Sequence, residues 1–177
     1  MTWKNSYIYI LIPALILAGF IGKYLYQAPK FINGEKTPEF SATLINGEPF
    51  KLADLRGKYV ILDFWGSWCG PCRKANHELL PIYKKYHNAQ FKDANGLEIV
   101  SVGIETNELA WKKAIQQDGL IWKYHISSLN EFDNPIAKQY GVKVIPTSYL
   151  INENGVIIGV DLLAENLDRM LGDRLKK

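Results

Sequence analysis

Cys69 and Cys72 are the only cysteines in 177 residues, and they stand three positions apart as Cys69-Gly70-Pro71-Cys72. A structural bridge stabilises mainly by closing a long loop in the unfolded chain, and this loop is among the shortest a disulfide can span. The pair is therefore read as reactive. Placed at the start of a helix, the first sulfur meets unpaired backbone amides and the positive end of the helix dipole, which favours its thiolate. Cys69 is then the attacking sulfur. Cys72, one turn further in, resolves the mixed disulfide that Cys69 forms with a partner. Pro71 suits the first helical turn, where its missing N–H costs nothing.

Zinc and copper also use this spacing. A structural zinc needs four ligands, and His77, His87 and His125 supply no recognisable spacing for the remainder, so no metal is expected. Each histidine is read as an ordinary surface or core residue. Asp63 lies six residues before Cys69 in an otherwise apolar run. Burial there raises a carboxyl pKa, which makes it a candidate proton carrier for Cys72. The plainer alternative is a carboxylate satisfied by local hydrogen bonds.

Several elements must position these groups. Tyr59-Val60-Ile61-Leu62-Asp63-Phe64-Trp65 reads as a strand buried on both faces, followed by a helix over Pro71–Tyr86. Ile99–Ile104 is a second buried strand. Glu108–Gln117 is a helix with Leu109 and Trp111 among its apolar positions. Asp118–Asn134 reads as a polar, looser region, and Pro135–Tyr140 as a short helix. Asn46-Gly47 between two β-forming runs marks one hairpin, and Ser148–Ile151 with Val156–Val160 form another around Asn152-Glu153-Asn154-Gly155. Leu162–Leu175 closes the chain as a helix. The alternation argues one α/β domain, a central mixed sheet covered by helices, over residues 37–177.

Ahead of it, Asn5–Gly22 carries no charge. As a helix it spans about 27 Å, close to the hydrocarbon thickness of a bilayer. Trp3, Tyr7 and Tyr9 at one end and Tyr24 and Tyr26 at the other resemble interfacial aromatic belts. Pro13 is tolerable in such a helix. No small-residue cleavage site follows, so residues 1–26 are read as an uncleaved anchor, contacting lipid through 5–26, and 27–36 as a linker; a cleaved signal is the rival. Lys4 and the amino terminus balance Lys23 and Lys30, so charge does not set the orientation. An exposed dithiol on a tether argues for the outside.

Composition excludes other classes. Hydrophobic residues make up 47% and charged residues 22%. That is a globular balance. The 21 basic residues are scattered among 18 acidic ones, net +3. Nothing in that pattern suggests nucleic-acid binding.

The stretch Phe64-Trp65-Gly66-Ser67-Trp68-Cys69-Gly70-Pro71-Cys72-Arg73-Lys74, with Gly141-Val142-Lys143-Val144-Ile145-Pro146-Thr147 far downstream, resembles the thioredoxin superfamily, most closely its membrane-anchored TlpA/ResA-like thiol–disulfide oxidoreductases. Thr37-Pro38-Glu39-Phe40 and Tyr149–Gly155 are similar too. The resemblance implies a thioredoxin-like fold with an N-terminal hairpin. It implies a cis Pro146 beside the sulfurs, Ile145 offering its backbone to a client, and Trp68, Gly70, Pro71 and Thr147 around the same surface. Trp65 is read as core. It implies no cofactor beyond the Cys69–Cys72 disulfide, client proteins with disulfides or dithiols, and a membrane electron donor. The setting would be a bacterial inner membrane crossed once, with the domain in the periplasm or otherwise outside the cytoplasm. Gly-Pro between the cysteines resembles the reducing members, with apocytochrome c as a candidate client.

Departures from that pattern are visible. Ala75 stands where many members have glutamate, and Asp63 where they have asparagine; Ser101 stands where thioredoxin has a lysine near the acid. Histidine replaces a usual proline at His77. Glu105 is read as a solvated strand-end residue. The rivals are a thiol peroxidase, separable by hydrogen peroxide consumption; a tethered client-holding module, separable by binding that survives loss of both sulfurs; and a copper-delivery protein, separable by stoichiometric copper.

Overall fold

Every residue of Tyr59–Trp65 is buried, and this strand, β3, is the middle of a five-stranded sheet in the computed structural model, which describes residues 8–176. On one side β3 pairs in parallel with β4 (Leu97–Gly103), which pairs in parallel with the edge strand β5 (Tyr124–Ser127). On the other side it pairs antiparallel with β6 (Thr147–Ile151), which pairs antiparallel with β7 (Ile157–Val160). The order is β5-β4-β3-β6-β7, a mixed sheet as expected. A separate hairpin joins β1 (Ser41–Thr43) to β2 (Pro49–Lys51) across the Asn46-Gly47 turn.

Alternation along β3 divides the core in two. Tyr59, Ile61 and Trp65 pack with Cys72, Leu79, Tyr86, Trp111 and Leu171, from helices α2 (Gly70–Tyr86), α3 (Glu108–Gln117) and α5 (Ala164–Gly172). Val60, Leu62 and Phe64 pack with Leu52, Val102, Ile136 and Tyr140, the last two from α4 (Pro135–Tyr140). Both faces are covered, so these central strands are apolar nearly throughout.

Three expectations about elements are corrected. The stretch 118–134, expected to be loose, contains β5, whose His125 and Ile126 are buried and whose neighbour Trp122 sits in the core. The last helix is shorter than expected, running from Ala164 to Gly172. Leu109 faces outward at 80% exposure, and the apolar face of α3 is carried by Trp111 and Ala114.

At the N-terminal end, α1 (Ile8–Gln27) continues past Lys23. Its segment Tyr9–Gln27 is long and apolar enough to cross a membrane, and none of it is buried against the domain. Trp3, Lys4, Asn5 and Tyr7, expected to belong to an anchor, and the terminal Lys177 lie outside the described residues. The segment after α1 lies along the domain. Phe31 packs edge-to-face on Tyr140 at 5.7 Å. Gly34 N–H donates to Ile157 O at 2.8 Å, and Ile157 N–H donates to Glu35 O at 2.9 Å. These bonds cover the free edge of β7.

Candidate active site

The chain leaves β3 at Trp65 and turns through Gly66-Ser67-Trp68 into α2. A Cβ on Gly66 would lie 2.9 Å from the Trp68 indole and 3.2 Å from Ile145 Cδ1. The close approach of those two side chains therefore requires glycine there. Cys69 is the N-cap of α2: its backbone is extended, and its sulfur accepts the Cys72 N–H at 3.2 Å. The sulfur thus occupies the place of a capping oxygen, where the helix favours negative charge. In this structure the two cysteines are joined as a disulfide. Cys69 retains 6% exposure and Cys72 none, so a partner can reach only the first sulfur.

The Ile145–Pro146 peptide is cis, and the Ile145 carbonyl oxygen lies 4.0 Å from the Cys69 sulfur. Gly70, Pro71 and Pro146 are exposed, and Trp68 is 57% exposed although its indole N–H is fixed by donating to Ile104 O at 2.9 Å. These residues and the half-buried Ile145 form one surface around the disulfide. Thr147 is buried, and its hydroxyl donates to Val144 O at 2.9 Å, so it shapes the turn from within. Trp65 is fully buried.

Asp63 is 3% exposed, and its Oδ2 finds no hydrogen-bond partner among the described residues. Burial pushes its carboxyl up to about 7, and the Asp161 carboxylate adds to the rise. It lines a cavity of about 170 Å³ together with Ala75 and Leu79 of α2, Pro146, Ser148 and Asp161. Ser101, its neighbour on β4, accepts the Trp122 indole N–H at 2.9 Å. His125, next in register on β5, is 3% exposed, and burial pulls its imidazole down to about 4.

Glu105 is corrected from a solvated residue to a buried one, at 1% exposure. It accepts hydrogen bonds from both the backbone N–H and the hydroxyl of Ser67, the latter at 2.9 Å, and burial raises its pKa against those bonds. Arg73 donates to Asp118 through two guanidinium nitrogens and to Ser67 O at 3.4 Å. Sequence reasoning does not disclose this clamp on the turn before Cys69. Its partners are 38 residues apart for Ser67–Glu105 and 45 for Arg73–Asp118, and no local spacing joins them. Two of the three histidines belong to ordinary polar pairs: His77 lies 3.6 Å from Asp118 and His87 3.5 Å from Glu98.

Residues 33–160 match the model of the AhpC/TSA family, and the match covers more than half of the chain. The chain belongs to the AhpC/TSA family. Its relatives include the thiol-disulfide oxidoreductase ResA of Bacillus cereus, 34% identical over 98% of this chain and 97% of that one. Another is ResA of Bacillus subtilis, 29% identical over 82% and 79%. Among solved structures, a thiol-disulfide oxidoreductase from Bacteroides fragilis superposes with a TM-score of 0.68 at 30% identity, covering 78% of this chain and 98% of that one. The thioredoxin domain of a thiol-disulfide oxidoreductase from Bacteroides vulgatus gives 0.71 at 26%, covering 81% and 98%. With the Cys69–Cys72 pair in place, this AhpC/TSA member is a thiol–disulfide oxidoreductase of the ResA type with a thioredoxin-like fold.

Proposed function

We propose that this chain is an α1-anchored reductase of disulfides in exported proteins, with its domain (37–177) outside the cytoplasm. The observation that carries the reading is the reactive surface: a sulfur at the N-terminus of α2, accepting the Cys72 N–H and standing 4.0 Å from the Ile145 carbonyl beside Pro146. The Cys69 thiolate attacks a client disulfide, forming a mixed disulfide and releasing one client sulfur. Cys72 gives its proton to Asp63 and attacks the Cys69 sulfur, releasing the second. The client gains two electrons from the two cysteines and two protons, one originating on Cys72 and returned through Asp63 and one from solvent, and the chain is left as the disulfide, to be reduced again by a membrane electron donor. Ile145 and Thr147 shape the groove in which the client backbone lies, and Trp68, Gly70 and Pro71 form its rim. The apolar length of α1 and the relatives named ResA support the tethered setting, and apocytochrome c is a client class it suits.

The full chain in detergent, given a protein disulfide such as insulin, tests this. Cys69→Ser abolishes turnover, and Cys72→Ser accumulates a mixed disulfide with the client; full activity in either variant ends the reading.

A further inference from the structure

A buried acid that carries protons must exchange them with water, and the cavity that Asp63 lines offers a route. That cavity is bordered by exposed residues, among them Asp161, immediately after β7, and Glu78, Pro146 and Leu163. Asp161 is held there firmly. Its backbone N–H donates to Ser148 O at 2.9 Å, and its Oδ1 accepts the Ser148 N–H at 2.7 Å. Ser148 is also the register partner of Asp63 across β3 and β6. Because both main-chain groups of Ser148 point toward Asp161, Asp63 and Ser148 form a non-hydrogen-bonded antiparallel pair, the kind whose Cα atoms approach to about 4.5 Å. One serine therefore ties the two carboxylates to the same point of the sheet.

The remaining lining is short of charge. From α2 come Ala75, Leu79 and Glu78, the last lying 3.9 Å from Lys74; from the segment entering α5 come Leu162, Leu163 and Ala164; from the cis turn comes Pro146. β4 presents Ser101 to Asp63. Among the described residues, no lysine, arginine or histidine lines the cavity.

We propose that Asp161 is a positioning residue for the redox reaction, a carboxylate on the exposed border of the cavity whose negative charge sets the proton occupancy of Asp63 and, through it, the pH at which Cys72 attacks the mixed disulfide. This rests on the reading of Asp63 as the proton carrier. Carboxylates around one small space oppose one another's ionisation; Glu78 lies beside Lys74, so Asp161 is the one that keeps the proton on Asp63 to higher pH. Solvent around the exposed Asp161 weakens the coupling without removing it.

The test uses the reduced full chain in detergent and an aromatic disulfide whose released thiolate absorbs visible light. The first release, by Cys69, depends on probe concentration; the second, by Cys72, does not, and its rate is followed from pH 5 to 9. Asp161→Asn keeps the acceptor for Ser148 N–H and removes only the charge. It moves the acid limb of the second phase down by about half a unit, a gain of about two- to threefold at pH 6, while Asp161→Glu keeps the parent profile. A profile unmoved in Asp161→Asn overturns the proposal. Asp63→Asn separates the two claims: if it retains the parent acid limb, the carrier reading of Asp63 fails; if it loses that limb while Asp161→Asn leaves it in place, the role of Asp161 fails alone.

Discussion

The carboxylate of Glu105 accepts both the N–H and the hydroxyl of Ser67, two residues before the reactive Cys69, and this holds the turn between β3 and α2 from the far end of β4. The site is thus braced by an acid distant in the chain from its cysteine. Arg73, held by Asp118, also donates to Ser67 O of the same turn.

Glu105→Ala leaves two donors of Ser67 without their charged acceptor and should cost about 2–3 kcal/mol of stability. Glu105→Gln keeps the size and one acceptor and should cost about half as much. Urea unfolding of the oxidised chain measures both. Equal stability of all three proteins would show that the clamp contributes nothing.

Asp63 and His125, both buried, pull stability in opposite directions with pH. Asp63 moves from its ordinary 3.8 to about 7, so the fold binds its proton more tightly than the unfolded chain does. Stability from this group is full below about 4 and is lost as pH rises through 7, a change on the order of 4 kcal/mol. His125 moves from 6.5 to about 4, so the fold binds its proton less tightly than the unfolded chain does. Its contribution is full above about 6.5 and is lost as pH falls toward 4, a change on the order of 3 kcal/mol. Asp63→Asn should therefore leave a protein whose stability rises from pH 4 to 6.5, and His125→Phe one whose stability falls over the same range. Unfolding midpoints at pH 4.5, 6 and 8 check this; parallel profiles for both variants and the parent would contradict it.

The proposed tether is α1, whose Tyr9–Gln27 segment is long and apolar enough to cross a membrane and is exposed along its length. The full chain should remain with bilayers through an alkaline carbonate wash. Phe20→Lys with Leu15→Lys should release it, since each charge at the centre of a span costs about 2.5–3.5 kcal/mol. Retention of that double variant would place the attachment elsewhere.

The parts of this architecture that the sequence discloses are those in which burial and composition agree. Apolar and β-forming positions make Tyr59–Trp65 readable as a central strand, and Asp63 stands out because it interrupts them. β5 is the opposite case: Tyr124-His125-Ile126-Ser127 is short, mixes polar and apolar types, and owes its place to pairing with β4. Glu105 is illegible because a buried acid looks like an exposed one until its partner is known, and Ser67 is 38 residues distant. Leu109 looks inward-facing by type alone, whereas the face of α3 is set by Trp111 and Ala114. The cis bond at Pro146 is legible only through resemblance, because no local signal separates it from the commoner trans form.

The reductase reading stands or falls on the reduction potential of Cys69–Cys72 in the detergent-solubilised full chain, equilibrated against a dithiol–disulfide buffer series. A reductase should show one reversible two-electron couple near thioredoxin's, about −270 mV. A couple near the oxidising end, about −120 mV, would make the chain a disulfide donor, and the absence of any reversible couple would contradict the redox function itself.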